Sequence, residues 1–311
     1  MPGTYPAQPP TMVDNLITTH RLLQSPRQIS RRLRTLAELR FVSDLILTGR
    51  LRSQGGAVLA EQSEPLRNAR DARSIAPGAE YPRATPGVGT AILAAVRKWG
   101  QAVPITDEQI KRSVYGGEVV DRALLKTVNT VISMVDEITL SVVASQVTAV
   151  HEAIAPWDDD DAARMWRDVA LAAAKIKGLN QGYVPDTLLM SDTKAALMMT
   201  DNIIAQLRRR ETTTNPIYTG ELDQVGPYRI LTTTEQNLPT DDVLLFDSRQ
   251  LGSMADETEV DPGYAQTDRG VQVKVIRIDK TDSHDIQARR LTVPIVQEPG
   301  AGIWITDTEG S

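Results

Sequence analysis

Cysteine is absent from this 311-residue chain. That excludes disulfides, thiol nucleophiles and thiolate metal ligands, so any covalent reinforcement would need other chemistry. Aromatic residues make up only 4%, with two Phe, so Val, Leu, Ile, Ala and Met must fill most of the core. No run approaches the roughly 20 apolar residues of a membrane span. Met1–Pro10 is rich in Pro and Gly and lacks the charged-then-apolar order of a secretion signal. The chain reads as soluble and intracellular.

Catalytic signatures are missing too. His20, His151 and His284 are scattered without metal-ligand spacing and read as ordinary surface or packed histidines. There is no Gly-x-Ser-x-Gly and no phosphate loop. Gly87-Val88-Gly89 fails as a dinucleotide fingerprint, because position 92 is Ile and a strand-like run follows; Gly300-Ala301-Gly302 fails in the same way. Asp256, Glu257, Glu259 and Asp261, beside Pro262 and Gly263, read as a solvated loop in preference to a calcium site. No catalytic, cofactor or metal site is predicted, and the chain is not expected to be an enzyme.

What is present is an uneven charge. Net charge is −6, yet Met1–Gly56 holds eight Arg (21, 27, 31, 32, 34, 40, 50 and 52) against Asp14, Glu38 and Asp44, a local +5 that leaves −11 for the rest. Such a segment is either a solvated helix face or an arm touching nucleic acid or an acidic neighbour. Helical spacing of Ile29, Leu33, Leu36, Leu39 and Val42 runs through it, ending near Gly49 and Gly55-Gly56.

Two strand-like runs, Ala57–Gln62 and Thr90–Pro104, flank a polar stretch, Ser63–Gly89, carrying four Pro and three Gly. Loops longer than about 15 residues are uncommon inside compact domains. The pattern predicts a long hairpin projecting from the body and supported by a neighbouring molecule. Glu118–Thr148 keeps a helical stripe of Val120, Leu124, Val128, Val131, Val135, Ile138 and Val142 without internal Gly or Pro. Its 31 residues predict a rod of roughly 46 Å, rich in β-branched residues and so held by packing more than by propensity. The acidic run Asp158–Asp161 is read as the cap of a helix over Ala162–Gly178. Thr187–Met190, Tyr228–Thr233 and Val243–Asp247 read as strands, Asp192–Arg210 as a helix, and the alternating tail from Val271 to Ile305 as antiparallel strands. The fold class is α+β.

This order of parts resembles the major capsid proteins of tailed bacteriophages with the Hong Kong 97-type fold. Gly182–Met199 (GYVPDTLLMSDTKAALMM) looks like that family's apical opening, and Gly226–Asp256 like its later strand, turn and strand. The resemblance spans roughly Gln54 to Ile305. It implies an N-terminal arm (1–54), an extended β-hairpin loop (55–106), a peripheral domain (107–182 and 271–311) with a spine helix (118–148), and an axial α/β domain (183–270). It further implies self-assembly as hexamers and pentamers into an icosahedral virion shell around double-stranded DNA contacted non-specifically. Assembly and procapsid maturation would take place in the host bacterial cytoplasm, with no membrane involved. A separate scaffolding protein is expected, since only about 50 residues precede the loop, with a portal and decoration proteins as further partners. Arg31, Arg32 and Arg34 of the arm, and Arg67, Arg70 and Arg73 of the loop, are the expected inter-subunit contacts. The loop tip has no lysine, Lys98 lying in the returning strand, so no lysine–asparagine cross-link is expected. Two rivals stand beside this reading: an encapsulin-like nanocompartment shell, and a nucleic-acid-binding protein using the basic arm.

Overall fold

The computed structural model describes residues 41–54, 56–63, 66, 68, 70–85, 87–112, 116–159, 162–201, 223–257, 259, 261–266 and 270–309. Most of the predicted arm lies outside these residues, as do Arg31, Arg32, Arg34 and Arg67. The chain divides into two compact units. One comprises Met1–Phe41, Val96–Val135 and Asp256–Thr292; the other comprises Val42–Ala95, Asp136–Ala255 and Val293–Ser311.

In the first unit, strands β4 (Arg97–Thr106), β12 (Gln272–Ile278) and the first ten residues of β13 (Ser283–Val296) form the sheet. β12 and β13 pair antiparallel from Gln272↔Arg289 to Ile278↔Ser283. β4 pairs antiparallel with β13 from Thr106↔Ser283 to Arg97↔Thr292. A two-residue strand, β11 (Ala265–Gln266), extends β12. Helix α2 (Asp107–Arg112) and the first two-thirds of α3 (Gly116–Gln146) complete the unit. Val120, Leu124, Val128 and Val131 on α3 are buried, as the stripe predicts. Thr127 and Thr130 donate their hydroxyls to the carbonyls of Ala123 and Lys126 at 2.7 and 2.8 Å, a bonding pattern that loosens the backbone ladder and favours bending.

α3 also corrects the sequence reading. Val119–Gln146 is long and apolar enough, by length and composition, to cross a membrane. Half of its most apolar stretch is buried inside the protein, so the stripe serves a core. Its Val, Ile, Leu and Ala residues raise hydropathy, while Thr, Ser, Asn and charged residues break the apolar run.

In the second unit a mixed sheet runs β5-β14-β9-β6-β8-β7, with β5 Val150–Glu152, β6 Thr187–Ser191, β7 Gln224–Val225, β8 Tyr228–Thr233, β9 Val243–Phe246 and β14 Gly302–Thr306. β6 is buried along its whole length, as an interior strand covered on both faces must be. Helix α4 (Met165–Gly178) lays Val169, Ala172, Ala173 and Ile176 into one cluster with Leu188, Val243, Leu245, Ile303 and Ile305. The two quoted sequence words interlock here. Asp186 accepts from Ser248 N and Oγ at 2.9 and 2.8 Å, while Asp247 accepts from Val184 N at 2.9 Å. Ser191 caps helix α5 (Asp192–Thr200) by accepting from Lys194 N.

Several expectations change. The tail is not wholly antiparallel: β14 leaves the β12–β13 pair, joins the other sheet and runs parallel to β5. α4 begins at Met165, not Ala162, without a side-chain cap. Asp159 instead closes the preceding turn, its Oδ1 and carbonyl accepting from Ala162 N and Ala163 N. The acid in the first helical turn is Asp168, fully buried and accepting from Ile154 N and Trp157 Nε1. α5 ends at Thr200; the remainder of the helix predicted to Arg210 lies outside the described residues beyond Asp201. Within the predicted arm, a short helix α1 (Ser43–Ile46) leads into an unforeseen strand, β1 (Gly49–Ser53).

Candidate assembly surface

The capsid resemblance makes exposed surfaces the place where function is expected. The most exposed is the hairpin of β2 (Ala57–Gln62) and β3 (Thr90–Ala95), which pair without a break from Ala57↔Ala95 to Gln62↔Thr90. Period-two alternation splits its faces. Ala60, with the partly buried Val58 and Ala94, packs on Ala255, Ile295, Leu51 and Val293. The opposite face presents the cross-strand pair Leu59 and Leu93, 70% and 72% exposed. The predicted second strand is thus two strands, since the chain breaks at Val96 and β4 pairs with β13 instead.

Ser63 N donates to Gln297 O at 2.9 Å, and Gln62 Nε2 reaches Gln146 Oε1 and Val296 O. Beyond this root the tip has little of its own to bury. Residues 70–85 hold one turn, closed by Ala79 N donating to Ala76 O with Gly78 at φ +83°. Arg70 and Arg73, both predicted contacts, are exposed here, as are Tyr81 and Val88. The ion pair of Arg83 with Glu80 at 3.5 Å is almost fully exposed and contributes little. Lys98 lies exposed in β4.

The acidic group 256–261 is a solvated loop only in part: Glu259, Asp261, Pro262 and Gly263 are exposed, but its first two members belong to a strand. Asp256 lies in β10 (Gly252–Glu257) and binds Nε and Nη2 of buried Arg290, both at 3.2 Å. Arg290 also stacks on Phe41, 4.3 Å from the ring centroid. Asp261 pairs with Arg289, whose guanidinium holds the Asp261 carboxyl below the usual carboxylate range and stacks on Tyr264 at 3.7 Å. Intrachain arginines three strands away in sequence answer these acids, which local composition could not reveal. Among the described residues no cluster of His, Asp and Glu is arranged to hold a metal ion. His151 and His284 are both buried; His20 lies outside the described residues.

A second surface went unpredicted. In the first unit a groove of about 780 Å³ runs between β4, α2 and α3. Val103, Ile105, Val119 and Ala123 line it, with Arg112, Arg122 and Lys126 also in its wall and no carboxylate among the lining residues. The sequence signal was faint: Arg122 and Lys126 share a helix face at i, i+4, while Arg112 comes from a separate helix.

A family model described as phage capsid protein matches residues 89–305. No curated protein sequence matches the chain. Among solved structures, the capsid of the cyanophage P-SCSP1u is similar at 13% identity and a TM-score of 0.58, covering 87% of this chain and 89% of that one. A virus-like particle from Pyrococcus furiosus is similar at 10% identity and a TM-score of 0.58, covering 94% and 98%. A phage G structure of major capsid and decoration proteins is similar at 10% identity and a TM-score of 0.50, covering 88% and 94%. At such identities the likeness is one of fold, and that fold is the mixed helix-and-sheet arrangement of Hong Kong 97-type capsid proteins.

Proposed function

Since the chain belongs to the phage capsid protein family, and is thus a structural shell protein rather than an enzyme, we propose that it assembles as hexamers and pentamers into a closed icosahedral shell enclosing double-stranded phage DNA. The observation that carries this reading is the hairpin. Its outer apolar pair and largely exposed tip are suited to burial against another subunit, because removing exposed apolar surface from water is favourable.

In this reading residues 1–54 are the arm, 55–106 the extended loop, 107–182 with 271–311 the peripheral domain, and 183–270 the axial domain. α3 is the element that flexes as the shell changes shape, since its Thr back-bonding and β-branched content leave its curvature to what packs on it. Arg31, Arg32, Arg34, Arg67, Arg70 and Arg73 act between subunits, arginine being suited to bidentate pairing with carboxylates. Assembly takes place in the host bacterial cytoplasm with a scaffolding protein and a portal, and decoration proteins bind the finished shell.

The similarity to the Pyrococcus furiosus virus-like particle favours a second reading, a nanocompartment that holds cargo protein. The contents of the particle decide between the two. Shells purified from infected cells should carry nuclease-protected double-stranded DNA of one length. Shells filled with a single cargo enzyme and no DNA would establish the nanocompartment instead.

A further inference from the structure

One buried polar group has no part in the reading above. His151 stands in the middle of β5, between exposed Val150 and Glu152, and is itself buried. The parallel register sets it beside Ile305 of β14, and Ile305 packs in the cluster that α4 covers. The imidazole therefore lies on the helix-covered face of the sheet. Its Nε2 is shut off from solvent and finds no hydrogen-bond partner among the described residues. A protonated ring here would bury a positive charge whose Nε2–H has nothing to donate to.

Three charged groups face this ring. Lys175 of α4, whose Nζ donates to Val150 O at 3.3 Å, opposes a proton on it, while Asp168 of α4 and Glu152 of β5 favour one. The β14 residues paired with β5, Trp304, Ile305 and Thr306, carry no charge. Asp168 is already committed, accepting from Ile154 N and Trp157 Nε1. Burial, reinforced by Lys175, holds the imidazole below its ordinary 6.5.

The strand that carries His151 is also the part of the sheet that opens most easily. β5 has three residues, lies at the end of the sheet and pairs only with β14. Such short edges open at low free energy. Two backbone bonds hold its continuation to the C-terminal strand and the residues after it, Ala153 N donating to Thr306 O at 2.9 Å and Trp157 N to Thr308 O at 3.0 Å.

We propose that His151 is an acid-operated release for this edge. Protonation expels the imidazole from beneath α4, β5 and the turn to Trp157 detach, and the backbone edge of β14 is uncovered. The device belongs to the single subunit and stands whether or not the shell reading does. Its sign separates it from its neighbour. A base held below its ordinary value contributes stability that is complete above 6.5 and is lost as pH falls. Burial raises the Asp168 carboxyl above its ordinary 3.8, so that group gains as pH falls and cannot produce a loss in acid.

The test compares unassembled full-length wild type with His151→Leu by urea unfolding between about pH 7.5 and about pH 5. The unfolding constant of wild type, divided by that of the variant at the same pH, should stay level above the ordinary 6.5. Below it the ratio should rise severalfold, with a ceiling of about tenfold per pH unit for one proton. Hydrogen exchange at the two ends of the range locates the opening. In wild type the Ala153 and Trp157 amides should lose about tenfold in protection relative to those of β9, and in His151→Leu they should keep it. Where the leucine variant unfolds, His151→Asn, uncharged and close in shape, replaces it in both measurements. A ratio that is flat across the range overturns the proposal. So does protection at Ala153 and Trp157 that acid leaves unaltered, or that acid removes equally from the variant.

Discussion

Asp136 joins the middle of α3 to the start of the described chain, and its removal should be costly. The side chain is buried, and its two carboxylate oxygens accept from Val42 N at 3.1 Å and Ser43 N at 2.9 Å. These are N–H groups at the start of α1, which no helix can satisfy internally. Asp136→Ala strands both, at about 1–3 kcal/mol for each buried unpaired donor. Relief of the carboxylate's own burial cost offsets part of this, so the net loss should be about 2–4 kcal/mol, a large share of the roughly 5–15 kcal/mol that a domain has. Urea unfolding of the unassembled subunit measures it, with Glu137→Ala, an exposed neighbour on the same helix, expected within about 0.5 kcal/mol of wild type. The pH dependence is a second check. Burial raises the Asp136 carboxyl above its ordinary 3.8, with its hydrogen bonds to Ser43 and Val42 pulling the other way. Its contribution to stability is therefore fully present below that ordinary value and declines as pH rises through the raised one. Asp136→Asn removes this dependence, so the stability gap between wild type and Asp136→Asn should be wider in acid than at neutral pH. If Asp136→Ala costs no more than Glu137→Ala, Asp136 does not hold this junction.

Gly226 sits at φ +59°, where an added Cβ would lie 2.3 Å from Trp166 Cη2; Gly226→Ala should cost about 2–4 kcal/mol from backbone strain and overpacking, seen as a lowered urea midpoint. Limited proteolysis should cut the hairpin tip in unassembled subunits and spare it in shells; equal protection in both states would show that no neighbour covers it. Replacing Arg31, Arg32 and Arg34 together with Ala should leave subunits folded yet weaken assembly, and added salt should weaken wild type in the same direction. Shells of unchanged stability at every salt concentration would remove the arm's clamping role.

The sequence carried the periodic elements well. α3 was read within two residues at each end, because a seven-position apolar stripe without Gly or Pro has one economical fold. β12 and β13 were legible from alternation, and the Asp186 and Asp247 words marked turns whose acids do interlock. What escaped depended on partners distant in the chain. β1 is short and arginine-rich, and its Gly49 is required by contact with Ser253, to which a Cβ would come within 2.0 Å. Asp256 looked solvated because its arginine, Arg290, lies 34 residues further on. Asp159 had the composition of a cap but closes a turn one step before the helix. The loop contacts Arg70 and Arg73 are placed only as exposed residues. The groove was invisible because its cations come from two helices and its floor partly from a strand, with no local motif to unite them.

Cryo-electron microscopy of the particles formed by the full-length chain tests the central claim most directly. The account predicts closed shells in which five-fold and six-fold clusters of this chain are resolved, with each hairpin's Leu59–Leu93 face buried against a neighbouring subunit. Protein that remains monomeric under every condition, including in the presence of the phage's scaffolding protein, would contradict it.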